Sequence, residues 1–544
     1  MVRDSISGLA VPGAVIAALD SAGTGGVRTI ADEFGRFSLD VPAGPARLRV
    51  IRIGFEPRTV AVPASAPARA AGIEIRMLAL PALLTQVHVS DRSICPGSED
   101  RSGALALWDQ ARAGLLAAVV ARQSKPGNMK VLEYSSDEEP DSRLVIRQTT
   151  RTTTGTTGRP FVAVRAAEGF ARQGYMARDG GTLTFFAPDA DVLLDQEFAA
   201  THCFRVVRDD GHHPNEVGLS FEPAPGSHPD GFVDVDGTLW MDSDHPALRT
   251  LDFAYTGLDP AYRSAGTGGR LVFRNMTNGL VYIERWSMHL PAVAALAAPG
   301  HQVPAGRYAG VTPGEIRNVH VVQWHDLGGD VLAARWPDGS HAESTLGAVT
   351  GLVRDRNGAP LPGVHVMLDR TQTAATTDTT GRFTMWPVLP GRYGLDAVDS
   401  AYAAFVDPRR ASQTISVGRD TLAAPPIVLS SRQQAVAGLC GDRSAPPTGT
   451  AIILGQLRSP APLGPELRVE GSWTVQQLGD ATAAHRDSIR VTPGDDGGFI
   501  LCHVPLDPPL ALRLVRRDST LADTTVKLGR GSVQTMEWRV GGGR

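Results

Sequence analysis

The sequence predicts a mostly β, multidomain protein in which three small Greek-key β-sandwiches flank a central α+β domain with one long helix on an antiparallel sheet. Three observations predict it. A motif recurs whole about 350 residues apart and returns a third time in altered form, and a unit that recurs whole is a domain. Short apolar runs alternate between Pro- and Gly-marked turns, without helical period, over most of the chain. Helical spacing is convincing over one stretch alone, residues 99–123.

The motif's first copy is Val2-Arg3-Asp4, Val11-Pro12-Gly13-Ala14-Val15, Asp32-Glu33-Phe34-Gly35-Arg36-Phe37 and Val41-Pro42-Ala43-Gly44. Its second is Val353-Arg354-Asp355, Leu361-Pro362-Gly363-Val364, Thr379-Thr380-Gly381-Arg382-Phe383 and Leu389-Pro390-Gly391. Pro-Gly presets φ by the ring and takes positive φ at the glycine, so a turn precedes each apolar run. Asp-x-x-Gly-Arg-Phe fits a hairpin turn that sends the aromatic ring back into a core. The altered copy is read from Leu439-Cys440-Gly441-Asp442, 449–454, Asp495-Asp496-Gly497-Gly498-Phe499 and Val504-Pro505. Strands at such regular spacing argue for small antiparallel sandwiches.

At these residues the chain resembles the carboxypeptidase regulatory-like domain, a transthyretin-like sandwich, over residues 1–78 and 346–430 and more loosely over 433–544. The resemblance implies a module that is not itself catalytic and serves folding, docking or sugar binding beside other domains. Function must therefore come from sites.

Between the modules lies a domain expected over 79–340. A seam at 79–98 carries a short strand at 85–89. The helix follows, with Leu105, Trp108, Ala111, Leu115 and Val119 on one face. Strands are then expected at 143–153, 161–165, 182–187, 217–222, 237–241, 248–255, 269–274, 280–291 and 316–326. One helix on such a sheet is an α+β arrangement. Stretches 237–242, 251–255 and 279–286 resemble half-barrel envelope domains that follow such modules in bacterial proteins.

Composition narrows the function classes. A formal net charge of -4 gives no reason to expect a nucleic-acid partner. Of 53 basic residues only Lys125, Lys130 and Lys527 are lysine. No run of 18 apolar residues exists, so no transmembrane helix is expected. A signal peptide is not evident, and the first copy lacks the stretch that 347–352 provides in the second, which suggests a fragment or a misplaced start. Four cysteines divide as one pair per domain: Cys440 with Cys502 if the modules superpose, and Cys95 with Cys203 as the remaining pair. That division favours an oxidising compartment, against the alternative of four buried thiols.

Two stretches imitate catalytic motifs. Asp234-Val235-Asp236-Gly237-Thr238-Leu239 matches haloacid dehalogenase-type phosphatases, but that chemistry needs a parallel strand before it and a helix after it. His213 and Glu216 form the His-x-x-Glu of zinc metallocarboxypeptidases, with His320 or His325 as third ligand and zinc to activate water. The following 217–223 reads as a strand instead of the helix that chemistry uses. Asp234, Asp236, Asp242 and Asp244 lack calcium-loop spacing, and 266–269 is a turn. Phosphate loops, Gly-x-Ser-x-Gly, His-Glu-x-x-His and Cys-x-x-Cys are absent.

The expectation is a non-enzymatic, modular protein of the periplasm, outer membrane or cell surface, without cofactor, that binds a glycan or an envelope protein. Exposed sandwich edges, the first module's missing opening strand above all, can accept a partner strand. The alternatives are a zinc carboxypeptidase-like enzyme using His213 and Glu216, and an accessory fragment of an outer-membrane nutrient receptor of TonB-dependent type.

Overall fold

The structure, a computed structural model, describes residues 1–19, 25–40, 46–62, 73–80, 95, 102–156, 167–179, 182–208, 213–229, 231–243, 247–258, 266–295, 319–442, 446–458, 466–476, 484–507, 509–517, 519–529 and 533–539. Two compact units divide it, Met1–Leu346 and Gly347–Arg544.

In the first unit the alternating apolar runs build a sandwich. Val15–Leu19 pairs antiparallel with Gly25–Ile30 and Ala46–Ile51, and Ala46–Ile51 with Arg58–Val62. Against that sheet lies Val2–Asp4, parallel to Ile75–Met77. Val2, Ile16, Leu48, Val50, Ile75 and Met77 fill the space between. The Asp-x-x-Gly turn is not the hairpin its sequence suggests, because Gly25–Ile30 before it does not pair with the residues after it, 36–39, which are assigned to no strand. The Asp32 carboxylate accepts from the N–H groups of Phe34 (2.9 Å) and Arg36 (2.8 Å), and Gly35 takes φ +70°. A turn closed by its own side chain leaves the residues after it free to pair elsewhere.

The helix Ser102–Ser124 lies against both this sandwich and a ten-stranded antiparallel sheet. Trp108, Ala111 and Leu115 are buried with Leu219, Leu239, Met241 and Leu251 of the sheet and with Val15, Ile30 and Ile53 of the sandwich. Gln110 fixes the contact, its Oε1 accepting from the Gly54 N–H (2.6 Å) and its Nε2 donating to the Phe55 carbonyl (3.2 Å). Sheet order is His202–Arg208, Glu216–Pro223, Asp234–Asp242, Ala247–Thr256, Gly268–Asn275, Val281–Ala295, Val319–Arg335, Asn128–Glu138, Val145–Gly155, with His341–Glu343 also on Val319–Arg335.

Three of these strands, Asn128–Glu138, His202–Arg208 and the short His341–Glu343, are missing from the sequence reading. The first hides because it ends in the charged Asp137 and Glu138, which look like loop and are buried here. The expected strands at 85–89 and 161–165 lie outside the described residues.

In the second unit Val349–Asp355 pairs antiparallel with Arg382–Met385 and parallel with Leu422–Ala423 and Ile427–Leu429. The facing sheet runs Ala374–Thr376, His365–Leu368, Gly391–Asp399, Arg409–Val417. The third sandwich repeats the plan, with Thr450–Arg458 between Gly498–Pro505 and Val533–Arg539. Its facing sheet is Ala484–Val491, Leu467–Gln476, Leu510–Arg516, Ser519–Val526.

This corrects the register assigned to the third copy. Its opening strand is Thr450–Arg458, and Cys440 sits in the 3-10 turn Gly438–Cys440 that follows the short helix Arg432–Ala437. Leu439-Cys440-Gly441-Asp442 imitates the strand opening by composition, but Gly441 at φ +77° ends a helix.

Candidate functional site

The His-x-x-Glu pair does come together. His213 stands ahead of the strand that Glu216 opens, and its Nδ1 lies 2.9 Å from a Glu216 carboxylate oxygen. The ring stacks on Trp240 at 4.1 Å, and its Nε2 lies 3.9 Å from Asp252. Burial raises the Asp252 carboxyl above its ordinary range, while Arg270 (3.2 Å) and His213 oppose that. His325 is engaged elsewhere, on Asp137 at 2.6 Å. His212 and the side chain of His320 lie outside the described residues. Among the described residues no group of three His, Cys, Asp or Glu side chains is placed to hold a metal ion. The pair is a hydrogen-bonded contact braced on an indole at a strand end.

The phosphatase-like aspartates divide between the two ends of one strand. Asp234 and Asp242 begin and end Asp234–Asp242, so ~26 Å separates them at strand rise, too far to share one ion. Asp242 pairs with Arg249. Asp244 lies outside the described residues. Every neighbour of this strand is antiparallel, whereas the phosphatase motif needs a parallel one.

Asp234 instead joins a group that sequence spacing could not reveal. His202 Nε2 lies 3.4 Å from one of its oxygens and His228 Nε2 3.2 Å from the other. His202 Nδ1 is 3.0 Å from the Phe198 carbonyl, and the Val235 N–H donates to Asp234 at 2.8 Å. The His228 contact is close but poorly aligned, so the second oxygen has no hydrogen bond. These side chains and Tyr175 line a cavity of about 10 Å³, room for about one water. Burial pushes the Tyr175 phenol far above its ordinary range.

A second polar group lies where Asn128–Glu138, Val281–Ala295 and Val319–Arg335 meet. In register, Glu138 stands opposite Trp324, and Asp326 opposite both Ser136 and His289. Opposed residues on antiparallel strands share a face. His289 pairs with Asp326 and stacks on Trp324 at 4.0 Å. Arg143 reaches Glu138 (3.0 Å) and lies 5.4 Å from the Trp324 ring centre. Burial first, then the Asp326 charge, raises the Glu138 carboxyl above its ordinary range. The run Asp137-Glu138-Glu139 was the available signal. An indole, a carboxyl pair, an imidazole and a guanidinium on one sheet face can recognise a polar, hydroxyl-bearing ligand.

Both disulfides are formed, Cys95–Cys203 and Cys440–Cys502. The second closes 62 residues of chain and ties the linker turn to the strand Gly498–Pro505.

The carboxypeptidase regulatory-like domain family matches residues 1–77 and 348–423. No curated protein matches the chain. Among solved structures, a mutant type II cohesin–X–dockerin complex from Acetivibrio cellulolyticus is 24% identical over 17% of this chain and 62% of that one, with TM-score 0.13. A second mutant of that complex is 23% identical over 19% and 65%, also with TM-score 0.13. The chain thus spans less than two thirds of either. The Bacillus anthracis TIE protein is 11% identical over 66% of this chain and 62% of that one, with TM-score 0.17. At such scores neither architecture nor activity carries over. What does carry is the matched domain: the chain contains two carboxypeptidase regulatory-like domains, at 1–77 and 348–423.

Proposed function

We propose that this is a modular, non-catalytic binding protein of an oxidising compartment at the cell envelope, where it docks to a glycan or to another envelope protein. The observation that carries the reading is the recurrence of one sandwich plan in a chain whose cysteines are paired within separate regions. Repeated modules of this kind present several edges and loops on one polypeptide, which suits docking. The division we propose is a regulatory-like sandwich at 1–78, a central domain at 79–340, and sandwiches at 346–430 and 433–544. Disulfides persist where thiols are not kept reduced, which favours the envelope over the cytosol. Among the described residues no helix is long and apolar enough to cross a membrane.

The test is the intact mass of protein from its native cells, alkylated with and without reductant, in periplasmic, membrane and cytosolic fractions. Two bridges in an envelope fraction are expected. Four alkylated thiols in the cytosol would sink the reading. Zinc content of the purified protein, with His213→Ala beside it, decides the peptidase alternative, and stoichiometric zinc lost in that variant would revive it.

A further inference from the structure

The C-terminal end of the long helix closes over a cavity in the central domain. Its last turns carry Ala118, Ala121, Arg122 and Lys125 at the spacing that puts side chains on one stripe of a helix. The Lys125 N–H still donates to the Ala121 carbonyl (2.9 Å), and Pro126, which cannot continue a helix, turns the chain through Gly127 into the strand Asn128–Glu138. A Cβ on Gly127 would stand 2.6 Å from Trp336 Nε1, so the indole lies directly on the turn only because that residue has no side chain. Trp336 in turn tilts against Tyr282, with ring centres 5.3 Å apart. The helix stripe and these two rings enclose a cavity of about 40 Å³, room for about three waters or a short branched carbon chain.

Two chemistries meet there. Met129, Val281 and Ile283 join the alanines and the rings as apolar wall, while Arg122 and Lys125 bring two cations. Among the described residues no carboxylate lines the cavity. Asp338, which lies within electrostatic reach of Lys125, is taken up by Asn278 (3.0 Å) and Ser340 (2.6 Å). Cations in a last turn also balance the helix end, which carries roughly half a negative charge. Two full positive charges exceed that, and the wall is left net positive.

We propose that this cavity is a binding site for a small amphiphilic carboxylate, whose branched apolar end sits among Ala118, Ala121, Met129 and Trp336 and whose charged end meets Lys125 and Arg122. Removing the apolar end from water drives entry. Charge-assisted bonds from the ammonium and guanidinium select a carboxylate over an amine of the same shape. The site goes beyond the docking reading and does not depend on it, since it takes a small molecule within the central domain.

The probe is isovalerate, added to the full chain with isotope-labelled methionine methyls and followed by NMR; Met129 is one of ten methionines and its signal is assigned with Met129→Leu. Isovalerate is expected to shift the Met129 signal saturably, with Kd on the order of 1 mM for so small a ligand. Isoamylamine, which has the same apolar end and the opposite charge, should bind at least about tenfold more weakly. Lys125→Glu, at a half-buried position on the helix end, should weaken isovalerate by about tenfold. Ala118→Leu, which fills the cavity from a partly buried position, should abolish the shift. The proposal is overturned if Met129 does not respond up to about 50 mM isovalerate, if the amine binds equally well, or if either variant binds undiminished. Should Ala118→Leu fail to fold, Lys125→Glu and the comparison of acid with amine still decide.

Discussion

The first and second sandwiches place the same proline carbonyl at the same turn and satisfy it from opposite directions. Arg52 donates to Pro12 O at 2.9 Å from within its own module. The matching position in the second module is Asp399, since Val15 pairs with Ile51 and His365 with Val398. There the donor to Pro362 O is Arg432, which comes from the helix after the module. Asp399, fully buried, holds Arg432 Nε at 2.8 Å and also binds Arg409, which donates to Ser430 O at 2.5 Å. One change of sign at a strand end thus converts a self-contained turn into a tie to the next element. Packing around Arg52 holds its guanidinium down to about 10, although part of the side chain still reaches solvent.

The comparison breaks most sharply at Asp399. Asp399→Ala leaves Arg409 and Arg432 without their carboxylate, and a buried pair that loses one partner costs about 3–5 kcal/mol. Urea unfolding followed by amide exchange should show that loss in 347–544 and leave 1–346 unchanged. A smaller loss would mean water replaces the carboxylate. The paired aromatic rings come next. Phe383→Ala should cost about 3–5 kcal/mol, the usual price of a buried ring, and Phe37→Ala roughly half that because Phe37 is half-covered. Equal losses would mean 36–39 is covered in solution. Arg52→Met, which removes one hydrogen bond together with a poorly solvated charge, should change stability by no more than about 1 kcal/mol. A loss as large as that at Asp399 would show the two turns to be equivalent after all.

Much of the fold was legible because turns carry their own chemistry. Asp32 and Asp378 accept from N–H groups two and four residues on, and such local bonds can be read from sequence. The long helix was legible from the spacing of Trp108, Ala111 and Leu115. The third module misled the reading because Gly441 ends a helix where a similar string elsewhere opens a strand. Asn128–Glu138 was missed because its charged end is buried between Val145–Gly155 and Val319–Arg335, the second of them nearly 200 residues away. The His202, Asp234 and His228 group was illegible because His202 meets Asp234, 32 residues on, only when their strands join one sheet.

By itself the sequence determined the strand-rich class, the repeated module and the turns, because period and turn residues act over a few neighbours. Tertiary structure alone decided which carboxylate meets which cation and which cysteine lies on a strand. Those outcomes depend on register between strands far apart in the chain, and a shift of one residue would send every side chain to the other face.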